Sequence, residues 1–314
     1  MTNSAGPDVL SVKDLTMYYS TKGGTVKAVD GVSFSLKKGQ SLGLVGESGC
    51  GKSSIAISLL KLLPDNARIV KGQVMLGDID LVPLSDEQMR QFRWNRISMV
   101  FQAAMNSLNP VYRVGDQIIE ALEAHGTYTR DEALARVEEL FDLVSLDPGF
   151  INRYPHEYSG GMKQRAIIAM ALACDPDLII ADEPTTALDV IVQDKILREL
   201  REIQTRMNMS MIYISHDMAV IAEVSDIMGV MYAGKIVEFG ATTDVFANPI
   251  HPYASALMSA FPSITGEKHD LVTLPGEPPD LTNLPPGRSF SPRCKYATDR
   301  CRIEEPPIVN RDGH

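Results

Sequence analysis

Apolar and polar residues are in rough alternation through the opening of the chain, where Val9, Val12, Leu15, Val29, Val32, Phe34 and Leu36 recur among polar neighbours. That alternation predicts antiparallel strands in a small sheet. Farther on, the apolar residues gather into short unbroken runs at Ser41 to Val45, Leu178 to Ala181 and Met211 to Ser215, each followed at once by polar residues. Such runs suit parallel strands buried on both faces, with a site at their carboxyl ends. Between about Ala103 and Tyr158 the period lengthens to that of a helix. Leu134, Val137, Phe141 and Val144 are expected on one core-facing stripe, and Thr129 with Glu132 has the spacing of a capping box. Apolar helices are also expected over Ser54 to Leu63 and Ala166 to Cys174. These patterns predict an α/β layered core with a smaller antiparallel sheet beside it.

The carboxyl-terminal part breaks the pattern. From Pro262 onward the chain carries nine of its 19 prolines, which predicts an extended, loop-rich appendage. The longest stretch without Asp, Glu, Lys or Arg, Val245 to Gly266, contains Asn248, Pro249, His251, Pro252 and Pro262 and reads as loop and short helix, not as a membrane span. A chain of 314 residues can bury a core without a disulfide scaffold. Its 40 acidic and 30 basic residues give a net charge of −10, which argues against binding nucleic acid through bulk charge. The polar start of the chain has no secretory pattern, so a cytosolic location is expected, and the four cysteines (Cys50, Cys174, Cys294, Cys301) are expected as thiols or ligands.

The clearest chemistry follows the first apolar run. Gly46-Glu47-Ser48-Gly49-Cys50-Gly51-Lys52-Ser53, continuing into Ser54, is a phosphate-binding loop between a strand and a helix. Its glycines let the backbone curl so that N–H groups face phosphate oxygens, and the helix start adds partial positive charge. Lys52 is expected on the β and γ phosphates and Ser53 on Mg²⁺. Cys50 reads as a small filler or as a thiol activated by the helix start. The second run ends in Asp182-Glu183, which places one carboxylate for a metal shell and the next, Glu183, as a base that orients water. His216, after the third run, either contacts a γ-phosphate or caps a neighbouring helix.

A further motif narrows the family. Tyr158-Ser159-Gly160-Gly161-Met162-Lys163-Gln164-Arg165 resembles the signature sequence of ABC-type ATPases. Counterparts of the other family elements follow in order. Phe101-Gln102 resembles the Q-loop, Ala187-Leu188-Asp189 the D-loop, His216 the switch histidine, and Tyr19 the aromatic that stacks on adenine. The resemblance spans about residues 9 to 245 and implies a P-loop NTPase core of the ABC type. Its domain would cover 1–245, with a helical subdomain over about 103–165, followed by an extension over 246–314. Ala28 to Phe34, together with Pro285-Pro286-Gly287 and Pro292-Arg293-Cys294, is similar to the oligopeptide/dipeptide group of importers.

The resemblance implies Mg²⁺-dependent ATP hydrolysis with Gln102, Ser53 and Asp182 near the metal and Glu183 and His216 at the reacting phosphate. A Ser-Gly-Gly turn at a helix start is a second anion cradle, and the simplest geometry places Ser159, Gly160, Gly161, Met162 and Gln164 of one chain on the nucleotide of another, with Asp189 at the junction. The implied partners are a second ABC ATPase chain, identical or paralogous, two integral permease subunits and, indirectly, an external solute-binding protein, at the cytoplasmic face of the membrane. Met105, Asn106, Leu108, Asn109 and Pro110 would form the groove for a permease helix. The rival function is a soluble ABC ATPase acting on nucleic acid or ribosomes, which the acidic balance and the lack of a second ATPase half disfavour. Members that carry an iron–sulfur cluster show four cysteines in the tail. Here only Cys294 and Cys301 match, Arg288 follows the Pro-Pro-Gly run, and two thiolates do not complete the cage, so no cluster is expected. The tail residues Arg288, Arg293, Lys295, Arg300 and Arg302 are expected on a solvated face or a subunit contact.

Overall fold

The computed structural model describes residues 7–102, 106–126, 128–186, 188–259, 274–310 and 314. In chain order the first half holds β1 (Asp8–Thr21), β2 (Gly24–Lys37), β3 (Ser41–Val45), α1 (Lys52–Leu59), β4 (Ala67–Leu76), β5 (Ile79–Asp80), α2 (Asp86–Arg90), β6 (Ile97–Val100), α3 (Val114–His125) and α4 (Arg130–Leu143). The second half holds α5 (Gly160–Leu172), β7 (Leu178–Asp182), α6 (Val190–Met207), β8 (Ser210–Ile214), α7 (Met218–Val224), β9 (Ile227–Tyr232), β10 (Lys235–Ala241), α8 (Thr242–Ala247) and α9 (Pro252–Ser259). Two compact units result. One contains Leu36–Gln40 and Pro83–Tyr213; the other contains Leu10–Ser35, Ser41–Val82 and Ile214–His314.

The second of these holds the antiparallel sheet, in the order β2-β1-β4-β5. Leu10 pairs with Leu76 and Val12 with Val74, and all seven alternating apolar residues of the opening segment are buried, as their spacing predicts. The same unit contains the strand run β10-β9-β3, with β3 parallel to β9 from Leu42↔Ile227 to Val45↔Val230. The Asp226 carboxylate accepts both the Ser41 amide and the Ser41 hydroxyl at 2.8 Å, which pins the start of β3. Helix α1 covers Lys52–Leu59, earlier than the expected Ser54 to Leu63, and the chain turns away at Lys61, whose φ is 49°.

In the other unit β6 and β7 run parallel, from Ile97↔Leu178 to Val100↔Ala181, followed by β8 in the order β8-β7-β6. Thr129 caps α4 in the expected box with Glu132. The buried stripe of that helix is Ala133, Val137, Leu140, Phe141 and Val144, whereas Leu134 is 40% exposed. At 100° per residue Leu134 lies one step past Ala133, the small residue that meets the core. Helix α5 begins at Gly160, within the signature-like turn, instead of at Ala166. Trp94, the chain's single tryptophan, donates its indole N–H to the Met170 carbonyl of α5 at 2.8 Å and lies 5.1 Å from the His125 ring.

Candidate nucleotide site

Residues 46–54 leave β3 as a loop built on glycine. Gly46, Gly49 and Gly51 have φ of 148°, 78° and 112°, a region closed to most side chains. A Cβ at Gly51 would sit 2.1 Å from the Ala28 carbonyl oxygen, whereas at Gly49 it would meet nothing within 4 Å. The loop is thus packed against its own unit on one side and open on the other, the shape an anion cradle needs. Lys52 is 7% exposed and its ammonium donates to the Gly46 and Glu47 carbonyls at 2.7 and 3.0 Å. Ser53 is exposed in the first turn of α1. Ser48 is exposed too, and Ser54 lies 3.2 Å, hydroxyl to hydroxyl, from Tyr19, which brings the aromatic candidate to the loop's helix. Cys50 is 6% exposed and burial pushes its thiol pKa up, so it is a filler and not an activated nucleophile. Asp217, next to His216, accepts the Ala219 and Val220 amides and supplies the cap of α7; His216 itself is exposed.

In the other unit Asp182 ends β7 and is 3% exposed. Glu183 follows at φ 48°, a left-handed value that aims its half-buried side chain away from the strand. Gln102 Nε2 donates to Glu183 Oε2 at 2.7 Å, and the Thr186 hydroxyl donates to the same oxygen at 3.0 Å. Two donors on one oxygen fix the orientation of the Glu183 carboxylate.

Ser159 caps α5, its hydroxyl accepting the Met162 amide at 3.3 Å, and Ser159 and Gly160 are exposed at the helix start. A Cβ at Gly161 would come within 2.9 Å of the Val192 side chain, so a larger residue there would push Val192 aside where α5 meets α6. Gln164, by contrast, is 3% exposed and faces the interior. Asp189 caps α6 by accepting the Val192 amide at 3.0 Å. Ala187 and Met105 lie outside the described residues.

The model of the ABC transporter family matches residues 29–186, and that of the oligopeptide/dipeptide transporter C-terminal region matches 237–301. The dipeptide transport ATP-binding protein DppD of Bacillus subtilis is 46% identical over 98% of this chain and 92% of its own length. The oligopeptide transport ATP-binding protein OppD of Escherichia coli is 44% identical over 95% and 89%. Among solved structures, the dimeric ADP- and phosphate-bound cassette MJ0796 superposes with a TM-score of 0.66 and 26% identity, covering 74% of this chain and 98% of that one. The chain belongs to the ABC transporter ATP-binding family. It is accordingly an ATPase that works in transport.

Three features of this ABC subunit escaped the sequence reading. Val190 and Ile191, in the first turn of α6, are 81% and 82% exposed. Val111 and Tyr112 are also exposed, on a segment braced by Gln117, whose side chain bonds both the amide and the carbonyl of Asn109. Adjacent apolar residues beside a functional motif were the available signal for both. Of the groove candidates, Leu108 is buried, whereas Asn106, Asn109 and Pro110 are exposed. The third is a correction: Arg293 is not on a solvated face. Its side chain is 6% exposed and its guanidinium grips the Glu47 carboxylate with bonds of 2.7 and 2.9 Å. Lys295, Arg300 and Arg302 are exposed as expected, and Cys294 and Cys301 are free, half-buried thiols.

Proposed function

We propose that this chain powers the import of peptides, as one of two ABC ATPase chains bound to a pair of permease subunits at the cytoplasmic face of the membrane, with an external binding protein delivering the cargo. The observation that carries the reading is the pairing of an ATPase core with a tail of the oligopeptide/dipeptide type along one chain. In this reading the loop from Gly46 to Ser54 holds the ATP phosphates, with Lys52 neutralising charge and Tyr19 against the base. The glycine cradle, open at Gly49, and the exposed Ser53 hydroxyl fit a magnesium-bound triphosphate. Ser53, Gln102 and Asp182 would hold Mg²⁺, which supplies charge neutralisation at the phosphates when bound. Glu183 takes a proton from the attacking water and His216 hydrogen-bonds the γ-phosphate.

Ser159, Gly160, Gly161 and Met162 serve the nucleotide of the other ATPase chain, with Asp189 at the junction. The exposed Val190 and Ile191 suit that junction, and the dimeric cassette MJ0796 supports the pairing. Val111 and Tyr112, with Asn109 and Pro110, suit the cytoplasmic helix of a permease. Among the described residues no helix is long and apolar enough to cross a membrane.

Affinity-tagged chain taken from solubilised membranes is expected to bring integral permease chains with it, and deleting its gene to stop uptake of labelled di- and oligopeptides. Peptide uptake unchanged in the deletion strain would remove the assignment of cargo. Recovery with ribosomes or DNA in place of permease would remove the transport role.

A further inference from the structure

The phosphate loop carries an acidic residue at its second position, and that is a poor place for one. A carboxylate beside a cradle built for a polyanion repels the ligand unless its charge is cancelled. Glu47 is cancelled from a distant part of the chain. Arg293 forms a two-pronged, charge-assisted pair with it, the geometry in which guanidinium and carboxylate bind best. The arginine has no freedom to wander. Its Nε donates to the Pro275 carbonyl at 2.8 Å, and its carbon centre lies 5.9 Å from the Tyr232 ring centroid. A second tie runs from the same region of the chain: the Glu47 amide donates to the Tyr253 hydroxyl at 3.0 Å. Tyr232, Tyr253 and Phe290 form an aromatic cluster with ring centroids 4.6 to 5.4 Å apart, which fixes both ties to one body.

We infer that Arg293 is a positioning residue of the phosphate loop: from the carboxyl-terminal extension it holds the Glu47 carboxylate aside and cancels its charge, so that the extension sets the affinity for nucleoside triphosphate. This rests on the reading of residues 46–54 as the nucleotide site. The arrangement has a signature that a merely structural clamp lacks. Removing the cation leaves a bare carboxylate at the cradle and weakens ATP; removing the carboxylate leaves a bare cation and does not.

The test is ATP binding by the purified full chain with Mg²⁺, measured by calorimetry, alongside steady-state hydrolysis. Lys52→Ala is expected to abolish binding, and if it does not, the loop reading itself fails. With that control in hand, Arg293→Ala is expected to raise Kd and KM about tenfold, the size expected of one uncompensated charge near a polyanion, with kcat at saturating ATP held within about twofold. Arg293→Lys should recover part of the loss. Glu47→Gln should not weaken ATP binding, since the loop meets phosphate through its backbone N–H groups and loses here only a carboxylate that repels it, and the double variant Glu47→Gln/Arg293→Ala should return Kd to within about threefold of the starting value. An unchanged Kd in Arg293→Ala overturns the inference and leaves the loop reading intact. A Glu47→Gln variant that binds ATP more weakly also overturns it, and this variant decides the matter even where Arg293→Ala does not fold.

Discussion

Glu183, the proposed base, is held both by its backbone and by its side chain. Its backbone sits at φ 48°, a conformation that costs a non-glycine residue about 1–3 kcal/mol, and its carboxylate is tied by Gln102 and Thr186. Replacing Glu183 by Gln keeps the shape and an oxygen for Thr186 while removing the carboxylate proposed as the proton acceptor. Glu183→Gln is therefore expected to bind Mg-ATP normally and to release phosphate at least about a hundredfold more slowly. Comparing calorimetric affinity with phosphate release separates the two effects, and turnover within a few-fold of the unmodified chain would assign the base elsewhere.

Among the elements, α5 is the one whose start carries the signature-like turn. Ser159 spends its hydroxyl on the cap, Gly160 is exposed, and Gly161 lets the helix approach Val192. An arginine side chain at 159 would fill the exposed turn and lose the cap, which costs about 1 kcal/mol of stability. If, as proposed, the turn serves the partner's nucleotide, ATP binding to the isolated Ser159→Arg chain is expected to stay within a few-fold while hydrolysis is lost. Loss of binding to the isolated chain would mean that the turn acts within its own chain.

The sequence made this element legible as a motif, yet not its boundary. The stretch from 160 to 165 is glycine-rich and polar, and propensity alone starts the helix at the apolar Ala166. The strands β3, β7 and β8 were legible almost to the residue because burial on both faces leaves an unbroken apolar run. In α4 the hydrophobic rule ranks Leu134 above Ala133, and only packing shows that the smaller residue meets the core. The pairing of Arg293 with Glu47 had no readable signal at all, because two charges 246 residues apart leave no periodicity to detect.

At the scale of the whole molecule, the extension departs most from its description as an appendage. Its residues 246–259 and 274–310 pack in the same compact unit as the phosphate loop. His251 lies within it, 7% exposed, its Nδ1 accepting the Tyr253 amide at 3.0 Å and its own amide donating to Glu238 at 2.7 Å. Burial, aided by the charge of Arg288, pushes its pKa down to about 4. In the unfolded chain the ring takes its proton near 6.5, so below that pH the unfolded state binds more protons than the folded one. The stability that neutral His251 contributes is whole above pH 6.5 and declines as pH falls toward 4, by up to about 3 kcal/mol. Urea midpoints at pH 7 and pH 4.5 should show this loss, and His251→Gln should make it smaller; equal losses in both chains would place the pH sensitivity in other groups.

Trp94 gives the molecule a property unrelated to its chemistry. With one indole in the chain, bonded to the Met170 carbonyl and lying beside His125, red-edge ultraviolet light excites a single site near the far end of the signature helix. The protein thus carries its own optical gauge of how that helix is seated, and needs no attached dye to follow it through a cycle.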